Sequence, residues 1–191
     1  MFSCSKKYGL SLGYVKNQTE SICLAAVKQN SVTFMDVKDQ TEKICLEAVR
    51  GSSYNLFYVK NQTQAICLEA MKNNYYAIEY AKDQSSELCN SALNEDVNAL
   101  LYIRNKNYDL YKLALSKDIN AFNLISEKDR TEKLCTTTLK IMFDKKIVNP
   151  NILKSIFKSF PNDKMKNLYK KYNFSKYVGI NEDHLNSISI Q

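Results

Sequence analysis

The chain has 191 residues, 45% of them hydrophobic, with 27 Lys+Arg against 20 Asp+Glu for a net charge of +7. That is enough apolar material for a continuous core, and no run approaches the roughly 18 apolar residues that would cross a bilayer. The opening Met1-Phe2-Ser3-Cys4-Ser5-Lys6-Lys7 has no apolar stretch of signal-peptide length, so the expectation is a soluble, intracellular protein.

The charge is unevenly placed. Residues 1–139 hold 17 Lys+Arg and 16 Asp+Glu, whereas residues 140–191 hold 10 Lys and 4 acids. The body is close to neutral and the tail is basic. Only 3 of the basic residues are Arg, which weakens the case for reading base edges, where Arg forks dominate.

Residues 8–15 align with the second half of a unit that then recurs. Six times the chain writes a basic residue followed by Asn or Asp: Lys16-Asn17, Lys38-Asp39, Lys60-Asn61, Lys82-Asp83, Arg104-Asn105 and Lys128-Asp129. The first five start 22 residues apart and the sixth follows after 24. A fixed period of this length marks a stacked repeat architecture. Asn17, Asp39, Asn61, Asp83, Asn105 and Asp129 read as helix N-caps, and in the best-written units Glu or Gln stands three places later, the spacing of a capping box.

An apolar stripe follows each cap: Ile22, Cys23, Ala26, Val27, then Ile44, Cys45, Ala48, Val49, then Ile66, Cys67, Ala70, Met71. That spacing buries one helical face and is wrong for a strand, which also argues against a leucine-rich repeat. A shorter apolar run closes each unit, as in Val32, Phe34, Val37 and Tyr54, Leu56, Val59, with room for about two helical turns. Each unit therefore reads as a long helix, a turn and a short helix that must stack on its neighbours.

The string Tyr14-Val-Lys-Asn-Gln-Thr-Glu-Ser-Ile-Cys-Leu-Ala-Ala-Val-Lys-Gln-Asn30 resembles a 22-residue helical repeat family of unknown function, abundant in giant DNA viruses of amoebae and in some intracellular bacteria. The resemblance covers residues 8 to about 143 and is weakest in the fifth unit, where Tyr111 replaces the Cys. It implies a viral repeat protein of the host cytoplasm, viral factory or virion. It carries no activity and no catalytic residue to transfer.

Beyond about Asp144 the repeat dissolves. Asn149-Pro150 reads as a cap and first-turn Pro opening a helix with Ile152, Leu153, Ile156 and Phe157 on one face. Phe160-Pro161 breaks it, a further helix runs through Met165, Leu168, Tyr169 and Tyr172, and a last short one follows Asn181. The domain reading is a helical array over 1–143, with units starting near 16, 38, 60, 82, 104 and 128, and a basic helical cap over 144–191. The array begins with half a unit, so its N-terminal edge is a candidate for self-association.

Five of the six Cys, Cys23, Cys45, Cys67, Cys89 and Cys135, occupy one repeat column. Column mates on successive layers are too far apart for disulfides, and their spacing with a single His gives no metal motif. They read as small buried core residues. No catalytic residue, cofactor site or metal site emerges, because the acids do not converge and no phosphate loop or nucleophile elbow is present.

Three features remain as candidate contact sites. The row Lys16, Lys38, Lys60, Lys82, Arg104, Lys128 precedes helix N-termini, where it could track anions; the plainer reading is that each Lys satisfies carbonyls at the end of the preceding short helix. The column Tyr14, Tyr58, Tyr80, Tyr102 reads as a seam between layers or as a binding face. The tail cluster Lys164, Lys166, Lys170, Lys171, Lys176 reads as a solubilising face or an anionic contact. The fold expected is an all-α solenoid of about six helix-turn-helix repeats with a C-terminal helical cap. The function expected is a non-enzymatic scaffold for an unidentified protein partner, the alternative being a nucleic-acid-associated protein.

Overall fold

The computed structural model describes residues 9–160 and 162–174, and among these every regular element is helical. The result is the all-α helical repeat array expected from the sequence. Residues 1–8, Pro161 and 175–191, and with them Cys4, Lys176, the helix expected after Asn181 and His184, lie outside the described residues.

The chain forms two compact units that divide between Asn105 and Lys106. In the first, four ten-residue α-helices, α1 (Glu20–Gln29), α2 (Glu42–Gly51), α3 (Gln64–Asn73) and α4 (Ser86–Glu95), pack each on the next. Between them run short 3-10 helices, Gly9–Tyr14, Ser31–Asp36, Ser53–Tyr58, Tyr75–Tyr80 and Val97–Leu101, which pack on one another as a second layer. In the second unit α5 (Tyr108–Lys117) packs on α6 (Glu132–Asp144), and α8 (Asp163–Lys171) also packs on α6; 3-10 helices Ile119–Leu124 and Glu127–Asp129 and α7 (Pro150–Ser159) complete it. Asn149 caps α7 as expected, its Oδ1 accepting from the N–H groups of Asn151 and Ile152.

The core follows the repeat. Ala26, Ala48, Ala70, Ala92 and Ala114 are essentially inaccessible, and each accepts at its carbonyl the N–H of the residue that ends its helix, Asn30, Ser52, Asn74, Asp96 or Asp118. These five turn residues are extended. Asn30, Asn74, Asp96 and Asp118 then cap the following 3-10 helix with their side-chain oxygens. Cys23, Cys45, Cys67, Cys89 and Cys135 are free thiols and buried, as the column predicts. Tyr111 takes the same place in the fifth unit at 5% exposure.

The caps of the long helices differ from the sequence expectation. The N-caps are Thr19, Thr41, Thr63, Ser85, Asn107 and Thr131, two residues after Asn17, Asp39, Asn61, Asp83, Asn105 and Asp129. Each cap side chain accepts from the N–H three residues on, as Thr41 does from Ile44 at 3.4 Å. Asn, Asp, Thr and Ser are all good caps, so spacing to the next Glu does not separate the two registers. At two of the six caps a bond to the preceding repeat accompanies the later position: Thr41 also donates to Glu20 at 2.8 Å and Thr63 to Glu42 at 3.1 Å.

The inward face of the short elements is also shifted. Val32 and Tyr54, placed in the apolar run by sequence, are 50% and 44% exposed. The buried pairs are Phe34 and Val37, Leu56 and Val59, Ile78 and Ala81, Leu100 and Ile103, Phe122 and Ile125. A spacing of three is the eclipsed face of a 3-10 helix, whereas Val32 and Tyr54 stand two places before it.

Candidate functional site

A Gln column that sequence reading passed over sets the geometry of the first unit. Gln62 donates from Nε2 to the carbonyls of Leu56, at 2.8 Å, and Tyr80, at 3.0 Å, and accepts at Oε1 the N–H of Lys82 at 2.7 Å. Gln18, Gln40 and Gln84 repeat the pattern toward Asp36 and Lys38, Tyr58 and Lys60, Tyr102 and Arg104. Each Gln thus satisfies the end of its neighbour's short helix, where the chain turns and backbone groups lack helical partners. The signal was present as Gln at a 22-residue period beside every cap through Gln84; position 106 is Lys and position 130 is Arg. Arg130 instead bonds the end of its own preceding short helix, donating to the Ile125 carbonyl at 3.0 Å, and donates to the Ser155 hydroxyl at 3.0 Å.

The basic row is built onto this stitch. Lys60 Nζ donates to the carbonyl of Lys38 at 2.9 Å and Lys82 Nζ to that of Lys60 at 2.5 Å. Arg104 reaches back to the carbonyls of Ala81 at 2.7 Å, Lys82 at 3.1 Å and Glu79 at 3.3 Å. Each cation is anchored on its own counterpart one repeat earlier. These acceptors are neutral carbonyls, so the row keeps its charge while its side chains are held in place. Lys16 and Lys38 are exposed at the start of the row, and Lys128 stands exposed in the second unit.

The Tyr column lies beside the row on the short helices. Tyr14 is 89% exposed, while Tyr58, Tyr80 and Tyr102 are half-buried. Additional rings join them: Tyr54 meets Tyr80 edge-on at 5.1 Å, Phe57 meets Tyr58 at 5.1 Å and Tyr80 at 6.0 Å, and Tyr76 meets Tyr102 at 6.2 Å. The column is therefore a seam between repeats, as one of its readings held, and it is also a surface. Phe57 is 57% exposed, and its repeat mates Met35 and Leu101 are 51% and 54% exposed. Glu79 holds the remaining place of this column between Phe57 and Leu101.

Row and column converge in one cleft of about 590 Å³, lined by Phe57, Gln62, Glu79, Tyr80, Ala81, Lys82 and Arg104. Two aromatic rings form one part of the lining and two cations another, with one carboxylate, Glu79, among them. Burial first, then the charge of Glu79, pushes the Tyr80 phenol above its ordinary value.

The tail cluster is mostly a face turned away from its core. Met165 and Tyr169 are buried, Lys170 and Lys171 are exposed, and Lys166 is half-buried. Lys164 pairs with Glu132 at 2.8 Å. Phe143, 44% exposed, stacks on Tyr172 at 4.7 Å. Among the described residues no three His, Cys, Asp or Glu side chains are grouped to hold a metal ion, and no helix is long and apolar enough to cross a membrane.

Fold and surface together define a helical repeat protein whose most distinctive surface is an aromatic and basic strip on its short helices. Compared with known protein families, curated proteins and solved structures, the chain returns no match.

Proposed function

We propose that the chain is a non-enzymatic protein-interaction module that binds its partner through the short-helix face of residues 9–105. The supporting observation is the run of exposed rings and aliphatics on that face, Met35, Tyr54, Phe57 and Leu101, each between 44% and 57% exposed. Large apolar side chains contiguous with half-buried Tyr are what anchor protein partners, and rigid aromatics supply contact area at low entropy cost. The resemblance of the repeat to the family of giant amoebal viruses and intracellular bacteria supports a role inside an infected cell. Nucleic acid is the weaker reading, since Asp39, Asp83 and Glu79 interrupt the basic strip with negative charge that phosphates would meet.

A random dodecapeptide library displayed on phage, selected against the purified chain, tests this without knowledge of the natural partner. Hydrogen exchange with the selected peptides then maps the face they cover. Protection concentrated on 3-10 helices Ser31–Asp36, Ser53–Tyr58, Tyr75–Tyr80 and Val97–Leu101 is the expected result. Failure to select any peptide, or tight binding of an oligonucleotide at physiological salt, would overturn it.

A further inference from the structure

We infer that the cleft of Phe57, Tyr80, Lys82 and Arg104 receives an acidic peptide segment, an apolar side chain set against the rings and a neighbouring carboxylate facing the two cations. This deepens the interaction-module reading and rests on it.

Three observations carry the inference. The first is size and lining. At about 590 Å³ the cleft is within the range that holds a drug-sized group or a few side chains, and its aromatic lining comes from Phe57 and Tyr80. Phe57 is more than half exposed although it touches three neighbouring rings, Tyr54, Tyr58 and Tyr80, so apolar area is displayed that a partner would remove from water.

The second is charge. Lys82 and Arg104 line the same cleft, and among the described residues neither pairs with a carboxylate: their donors go to the carbonyls of Lys60, Glu79, Ala81 and Lys82. A carbonyl orients a cation without neutralising it. Both side chains are thereby held in place before a ligand arrives, which lowers the entropy cost of binding. Lys60 extends the positive strip by one repeat. A partner of negative charge is complementary to this rim.

The third is what the cleft excludes. Glu79 stands in it as well, so two cations face one anion. That leaves a modest positive excess, suited to one or two carboxylates spaced along a peptide and poorly suited to the continuous charge of a nucleic-acid backbone.

The test uses the dodecapeptides selected on the whole chain. Their sequences are read for an apolar residue within two places of Asp or Glu. The strongest binder is then synthesised with a fluorescent label and titrated against wild type, Phe57→Ala, Arg104→Gln and the distant surface variant Lys43→Gln, each checked for unchanged helicity by circular dichroism. Acidic peptides with an apolar anchor should dominate. Phe57→Ala and Arg104→Gln should each weaken the binder at least five-fold, and Lys43→Gln should leave it unchanged. Replacing the peptide's acids by Lys should weaken it at least ten-fold. Phe57→Ala alone decides the matter if Arg104→Gln loosens the fold, because the Phe57 ring is largely at the surface. Basic or uncharged binders, or binding indifferent to Phe57→Ala, would overturn this inference while leaving the interaction module standing. Selection of no peptide on any face would overturn both.

Discussion

The side chain of Gln62 accepts the backbone N–H of Lys82, 20 residues further on, at 2.7 Å. With its Nε2 bonds to Leu56 and Tyr80, one amide satisfies three backbone groups at the junction of two repeats. Gln62→Leu keeps the approximate volume and removes all three bonds. The Lys82 N–H can turn to water and the Leu56 carbonyl keeps the Val59 N–H at 3.2 Å, but the part-buried Tyr80 carbonyl is harder to re-satisfy, at about 1–3 kcal/mol for a stranded group. Gln62→Leu should lower unfolding free energy by roughly 2–3 kcal/mol in a urea titration. A change under about 0.5 kcal/mol would mean that the stitch is ornamental.

The caps give a sharper contrast. Thr41 accepts from the Ile44 N–H and donates to Glu20, whereas Asp39 is exposed two residues earlier. Thr41→Ala should cost about 1 kcal/mol, the usual loss of an N-cap. Asp39→Ala should stay within about 0.5 kcal/mol of wild type, as an ordinary surface change does. Equal losses at both positions, measured by chemical denaturation, would contradict the observed register.

Much of this fold could be read from periodicity, and the reasons for the misses are specific. Ala48 and Cys45 mark a buried helical face in any register, so the long helices were legible. The cap was not, because Asp39 and Thr41 are both cap-forming residues and residue type alone does not choose between them. Tyr54 was placed inward because an aromatic beside Leu56 looks like core. The short element is a 3-10 helix, whose three-residue repeat turns it out. Gln62 gave no local signal, since its partner lies 20 residues away and Gln has no strong conformational preference. Lys82 and Tyr80 were each singled out by column. That they share a cleft with Phe57 and Arg104 depends on stacking, which no single repeat displays.

The Cys column predicts a reactivity pattern. Burial pushes the thiols of Cys23, Cys45, Cys67 and Cys89 up from their ordinary values, and that of Cys135 up to about 11. The thiolate is the reactive form, so both exposure and ionisation oppose modification. All five should label slowly with a maleimide at pH 7.5 in the native state and rapidly in 6–8 M urea. Ile66, 1% exposed beside Cys67, should cost roughly 2–4 kcal/mol when changed to Ala, through the cavity left between helices. Fast native labelling of three or more Cys would show that the column faces solvent.

Tyr111 makes the fifth unit's departure from the Cys pattern testable by pH. Its hydroxyl donates to Asp129 Oδ2 at 3.0 Å, and Ser126 donates to the same oxygen at 2.6 Å. Burial first, and then the bond to Asp129, pushes the Tyr111 phenol up to about 12. The folded state therefore holds this proton more tightly than the unfolded chain, where a phenol titrates near 10. The stabilisation is fully present below about pH 10 and is lost as pH rises toward 12. Asp129 shifts the other way: the Ser126 bond first, then that of Tyr111, holds its carboxyl below the ordinary 3.8. Its contribution is present above that value and disappears as pH falls through the lowered one. Tyr111→Phe keeps the ring and removes the bond, so at pH 7 wild type should be the more stable by about 1 kcal/mol. The wild-type advantage in urea midpoint should shrink above pH 10 and reverse by pH 12, and should shrink again below about pH 4. The other tyrosines titrate in both proteins and cancel in the difference. A gap that stays constant from pH 7 to 12 would show that the Tyr111 hydroxyl adds nothing beyond its ring.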